Sequence, residues 1–243
     1  MDKRKTNSGR TEGSKSDLLT KEEMDKLFSV IADDIYFKTL YTVLKYSGRR
    51  IGEIYGTYIN KELYGGVKLE DIEFENFRMK TIILKNKKIK VKRLCTVCQN
   101  NSKDSKEVFC KKCGAKLPEL KESDNRKIEF SERYVPMRDE VVSILKLYIS
   151  SQNPKFKSKD YIFRTKSLKQ IQKKILIHVK AAGIKKRFTI HGFRHYFISN
   201  AIKSGLSESQ IIKWTGHVDI NSLTNYNQLV PNDIRDKVNN IIL

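Results

Sequence analysis

The chain has 243 residues, with 49 Lys and Arg against 28 Asp and Glu, a formal charge of +21 and a pI near 9.7. That balance favours a polyanionic partner, although charge alone does not separate DNA-binding from RNA-binding or ribosomal proteins. Apolar residues make up 39% of the chain, enough for one large domain or two small ones. No apolar run approaches the roughly 18 residues of a membrane span, and no signal peptide opens the sequence, so a cytoplasmic protein is expected.

Only +2 of the charge lies in the first twenty residues, so the excess belongs to the folded body. Residues 1–19 are poor in apolar side chains and rich in Ser, Gly and Lys, the composition of a disordered tail. Thr20 and Glu23 have capping-box spacing, and Met24, Leu27, Phe28 and Ile31 then recur on one helical face. A second helix through Leu40, Val43 and Leu44 should end at Ser47-Gly48, presenting Arg49 and Arg50 at the junction with another short helix. From Val67 to Val135 the pattern changes to short β-rich runs, Val67–Phe74, Lys80–Lys85, Arg126–Phe130 and Arg133–Pro136, which suit a small antiparallel sheet.

Between those runs stand the chain's four cysteines, Cys95-x-x-Cys98 and Cys110-x-x-Cys113, with eleven residues between the pairs. Two such pairs suit four thiolates around one tetrahedral Zn²⁺ in an inserted ribbon over 94–118. With all four positions filled by protein, the site should be structural. Two disulfides are the competing reading, which a cytoplasmic setting disfavours. Lys103, Lys106, Lys111, Lys112 and Lys116 add charge to the ribbon, suited either to a polyanion's backbone or to simple solvation.

After Pro136 the helical period returns. Val141, Val142, Leu145 and Tyr148 form one amphipathic stretch, and Leu168, Ile171, Ile175, Val179 and Ala182 another, stopped by Gly183. His178, inside that pattern, reads as a hydrogen-bonded structural histidine. A further helix runs from about His191 to Lys203, and the next carries Ile211, Ile212 and Trp214 before breaking at Gly216. His191 and Arg194 are three apart and share a helical face, where they can flank one phosphate, while His195 lies one step round and suits packing. Trp214 is placed to brace the turn that follows it. Ile234, Val238, Ile241 and Ile242 mark a last amphipathic helix.

The order Gly48-Arg-Arg50-Ile-Gly-Glu, His191-Gly-Phe-Arg194-His, Thr215-Gly-His217 and then Tyr226, nine residues on, resembles the tyrosine recombinase (phage integrase) family. The resemblance implies an α+β, mostly helical catalytic domain over 20–243 that breaks and rejoins double-stranded DNA. Tyr226 would attack a strand phosphate and stay bonded to the 3′-phosphate. Arg50 and Arg194 would clamp the non-bridging oxygens, His191 would handle the phenolic proton, and His217 would donate to the same phosphate. A lysine on the β-hairpin is the family's general acid. Lys85 aligns best, with Lys87 and Lys88 as competitors. Neither a catalytic metal nor ATP is implied, because the phosphotyrosine conserves bond energy. The terminal helix, 231–243, would dock into a neighbouring protomer of a homotetramer.

Against the family pattern, only the short tail stands where a helical core-binding domain usually precedes this half, so none is expected here. Two other readings remain, a type IB topoisomerase, which shares the chemistry, and a catalytically silent zinc-ribbon DNA-binding regulator.

Overall fold

A computed structural model of the chain describes residues 17–59, 61–88, 93–102, 107–119, 126–152 and 155–215. Helix α1, Lys21–Val30, begins at Thr20. The Thr20 hydroxyl accepts from the Glu23 amide at 3.2 Å, and the Glu23 carboxylate accepts from the Thr20 amide at 2.8 Å. Order starts before this cap, and earlier than composition suggests. Asp17 exchanges two hydrogen bonds with the Arg187 backbone, and Leu19 is buried with Met24 in the main core. An apolar residue just before the cap and another at the fourth helical position form a hydrophobic staple, which fixes how the chain enters the helix.

Helix α2, Ile35–Ser47, is the centre of the fold, capped by the Asp34 carboxylate on the Phe37 amide. It packs against α4, Asp139–Ser150, and α6, Gly192–Lys203, while α1 packs on α5, Leu168–Ala181. Burial on most of its circumference explains why α2 reads as apolar almost all round. Two of its tyrosines, Tyr36 and Tyr41, enter that core, and each of these hydroxyls finds a partner. Tyr36 donates to the Phe163 carbonyl at 2.8 Å, and Tyr41 meets His178 Nδ1 at 3.1 Å. His178 is therefore structural, as its place in the helical pattern suggests.

Short helix α3, Ile51–Tyr55, leads into a hairpin of β1, Thr57–Ile59, and β2, Glu62–Tyr64, with Tyr58 opposite Leu63. Sequence periodicity does not reveal this hairpin, because three-residue strands hold too few alternations to register. A three-stranded sheet follows, ordered β3, Ile72–Glu73, then β4, Arg78–Lys88, then β7, Arg126–Pro136. The last two β-rich runs are thus one strand, and its side chains alternate between half-buried or buried and exposed from Glu129 to Pro136. Two compact units emerge, residues 83–132 and the remainder of the chain. Helix α7, Glu208–Thr215, is the last described element. No helix among the described residues is long and apolar enough to cross a membrane.

Gly48 ends α2 in the left-handed region, at φ +63°, and a Cβ there would collide with the Phe197 ring of α6. Both demands exclude other residues. Gly48→Ala should cost about 2–4 kcal/mol, combining backbone strain with overpacking, and urea unfolding monitored by circular dichroism would measure it.

Candidate active site

The turn between α2 and α3 places Arg49 and Arg50 side by side with opposite fates. Arg50 is the residue before the first turn of α3, and its side chain remains 41% exposed. Arg49 is buried. Both reach toward Glu53, one turn into α3 and itself buried. Arg50 Nη1 donates to Glu53 Oε1 at 3.2 Å, and Arg49 Nη1 lies 3.7 Å from Oε2. Among the described residues, Arg49 Nε and Nη1 have no hydrogen-bond acceptor, so the second pairing is Coulombic only. Burial lowers the Arg49 pKa, and Glu53 partly restores it. Glu53 was not singled out from sequence, although its spacing of three from Arg50 and four from Arg49 was the available signal.

The second motif opens α6. His191 sits at its N-cap with a ring edge exposed to solvent, and Arg194 lies in the first turn, only 1% exposed. Arg194 Nη1 donates to the Gly48 carbonyl at 2.8 Å, and Nη2 to the Thr215 carbonyl at 3.0 Å. One guanidinium thus joins the arginine turn, the α6 N-terminus and the end of α7. Both of these donors are held by backbone carbonyls, a tighter seat than a helix-face reading gives. Trp214 braces the turn holding the arginines, through Nε1 to the Ser47 carbonyl at 3.1 Å, while the turn that follows it lies outside the described residues.

His195 packs edge-on against His191, ring centres 4.7 Å apart. Protein crowded around the His191 ring, then His195, Arg194 and Arg50, push its pKa down to about 4. The exposed edge tempers the first effect, whereas the neighbouring cations hold whatever the solvent access. Arg50 and Arg194 therefore each lie within electrostatic reach of His191. The imidazole is neutral near pH 7, able to accept a proton.

Lys85 lies inside β4, which continues through Lys88, rather than at a strand end, because β4 pairs along the long β7. The side chains of Lys85, Lys87 and Lys88 lie outside the described residues, as do His217, Tyr226 and the 231–243 segment.

The four cysteines form a separate centre. Cys95 and Cys98 follow β5, Arg93–Leu94, which pairs with β6, Asn101–Ser102. Each Cys-x-x-Cys turn is built alike. The Cys95 amide donates to the Asn100 carbonyl and the Gln99 amide to the Cys95 carbonyl; Cys110, Ala115 and Gly114 repeat those bonds. Gln99 and Gly114 both take positive φ, +59° and +71°. The four sulfurs lie within 4.8 Å of one another, with Cys95–Cys113 and Cys98–Cys110 each at 3.5 Å. Disulfide sulfurs would sit about 2 Å apart, whereas thiolates at about 2.3 Å from a tetrahedral metal lie about 3.8 Å apart. The cluster fits metal ligation. Amides of Cys113 and Lys112 favour the Cys110 thiolate, drawing its pKa down to about 6.

Because the folded-state pKa of His191 lies below the ordinary 6.5, the unfolded chain binds a proton that the folded chain refuses between pH 6.5 and 4. Stability should fall as pH drops through that window and be unaffected by this group above it. His191→Gln should flatten that part of the slope, leaving the share from His178 and His195, whose pKa values burial also lowers. Thermal melts from pH 4 to 7 would show identical slopes in both proteins if the assignment were wrong.

With the geometry in place, comparison with known proteins is informative. Residues 124–232 match the Phage integrase family, a span that includes His191, Arg194, His217 and Tyr226. A tyrosine recombinase of Thermosipho africanus is 29% identical over 100 residues, 39% of this chain and 34% of its own length. Tyrosine recombinase XerD of Staphylococcus saprophyticus is 29% identical over 116 residues, 44% of this chain and 39% of its own. The match thus spans little more than a third of these curated relatives. Among solved structures, XerA recombinase superposes with a TM-score of 0.62 at 18% identity, covering 98% of this chain and 68% of that one. The catalytic domain of bacteriophage HP1 integrase gives 0.51 at 14% identity, covering 93% and 95%. Motif order, the family match over residues 124–232 and the fold all liken this chain to the catalytic domain of tyrosine recombinases of the phage integrase family.

Proposed function

We propose that this chain is a site-specific DNA recombinase that cuts and rejoins duplex strands through a covalent 3′-phosphotyrosine at Tyr226. One observation carries the reading: Arg49, Arg50 and Arg194 converge at a single helix junction with one buried carboxylate, Glu53, between two of them. With His191 neutral, that junction holds a surplus of two positive charges. A pentavalent phosphorane formed from a phosphodiester carries about two negative charges, so the surplus is preorganised where negative charge grows. DNA as substrate is supported by the basic charge and by relatives of this fold, such as the Tn1549 transposon integrase, solved in complex with circular intermediate DNA.

In this mechanism the Tyr226 oxygen bonds to phosphorus as its proton passes to His191, directly or through solvent. The bond from phosphorus to the 5′ oxygen breaks, and that oxygen takes a proton from the hairpin lysine, Lys85 or its neighbours Lys87 and Lys88. Arg50, partly exposed, forks to the non-bridging oxygens, and Arg194 adds its fixed positive charge beside them. His217 adds a hydrogen bond. A second DNA end then reverses the steps, displacing Tyr226 without ATP. The terminal segment 231–243 is read as the link between protomers of a tetramer on DNA.

Cys95, Cys98, Cys110 and Cys113 would hold one structural Zn²⁺, whose role is to fix the fold of the ribbon. Its thiols should react with a disulfide reagent only after a strong chelator strips the metal. Rapid reaction of all four beforehand would remove zinc from the reading.

Nicked duplexes built from DNA flanking the chain's own gene should yield a covalent protein–DNA band on denaturing gels. Tyr226→Phe should abolish it, and Arg50→Ala should slow it by on the order of 100-fold to 1,000-fold. No band with the unaltered protein on any such duplex would reject the reading in favour of a silent DNA-binding regulator. Efficient relaxation of a plasmid without a target site would favour a topoisomerase.

A further inference from the structure

The cysteine ribbon spends very little of its apolar content on its own interior. Its core is Cys95, Cys110 and Leu117, with Cys98 and Ala115 against them. Four larger apolar side chains face solvent instead: Leu94 at 51% exposure, Val97 at 71%, Val108 at 53% and Phe109 at 60%. Leu94, Val97 and Phe109 each immediately flank a cysteine, and the four sulfurs lie within 4.8 Å of one another, so these side chains are held around one small rigid centre. A cluster of this kind on a small module marks an interaction surface.

Charge selects the partner. Residues 83–132 contain 14 Lys and Arg against 7 Asp and Glu, a net +7 on 50 residues, one third of the whole chain's excess. Even after subtracting the net −2 of a Zn²⁺ held by four thiolates, the unit is more densely positive than the rest of the chain. Apolar tips also alternate closely with cations, in Val108-Phe109-Cys-Lys111-Lys112 and at Lys116, which pairs across a β-bridge with Phe109. A second copy of this equally basic chain would meet like charge. Duplex DNA offers phosphates for the lysines, and sugar edges and groove walls for the apolar tips.

Resting on the recombinase reading for the identity of the substrate, we infer that the ribbon is a second DNA-contact surface. Lys112 and Lys116 take backbone phosphates, and Val97 and Phe109 press into the groove beside them.

The test uses the full chain loaded with zinc, with Val97→Ser/Phe109→Ser and Lys112→Ala/Lys116→Ala as separate double variants. All carry unchanged cysteines and are checked for zinc content. Fluorescence anisotropy on a 40-base-pair duplex should show about tenfold weaker binding for the first variant. The second should reduce the slope of log affinity against log salt by about 2. Unchanged affinity and slope in both variants would overturn the inference. So would loss of a concentration-dependent dimer in light scattering with DNA binding intact, which would assign the surface to a second copy. The covalent band from the nicked duplex is scored on the unaltered protein. Its absence alongside ribbon-dependent affinity would sink the recombinase reading while leaving this contact standing.

Discussion

The site is held together by a cation the solvent scarcely reaches. Arg194 gives two of its N–H groups to the carbonyls of Gly48 and Thr215, which belong to turns 146 and 21 residues away in sequence. A buried guanidinium without such acceptors would cost several kcal/mol, so each turn is tied to the others by the charge it must satisfy. Gly48 meets the demand because its left-handed conformation ends α2 and lets the α6 aromatic Phe197 close over it. Trp214 adds a parallel tie to Ser47 from the other side. Geometry at the arginine turn is therefore a property of three helices together.

That construction concentrates like charge, which works against stability in the protein alone. Arg49 and Arg50 share one carboxylate, Arg49 leaves two buried nitrogens without acceptors among the described residues, and His191 is held neutral by its surroundings. Each is an unfavourable term in isolation. A phosphate would relieve several at once, since an anion offers acceptors to the guanidinium groups and favours a proton on the imidazole. Strain of this kind, opposed elsewhere by the α2 core and its tyrosine hydrogen bonds, is the usual signature of a site preorganised for a charged transition state.

The cysteine ribbon solves a different problem. A module of this size cannot bury enough apolar surface to fold on hydrophobic grounds alone. Two knuckles built alike, each with a residue at positive φ, bring four sulfurs together, where a bound metal would take the place of a core. Because the interior needs so few apolar side chains, Val97 and Phe109 are released to the surface, Phe109 opposite Lys116 across a β-bridge.

Much of this was written locally. The Thr20 capping box, the stop at Ser47-Gly48, the amphipathic helices around Leu145 and Ile175, and the paired cysteines each depend on residues within a few positions, so the sequence shows them directly. Motif order likewise singled out Arg50, His191 and Arg194, because phosphodiester chemistry would require those residue types. What periodicity could not show was the three-residue hairpin, the fusion of two β-runs into β7, the early ordering through Asp17 and Leu19, and the acceptors of Arg194. Those acceptors are backbone carbonyls, which every residue carries and no sequence distinguishes. By itself the sequence determined which charges and ligands this protein possesses. Tertiary structure decided that Arg194 would be sealed inside while Arg50 stayed open, because burial depends on which distant turns fold over a side chain and not on its own identity.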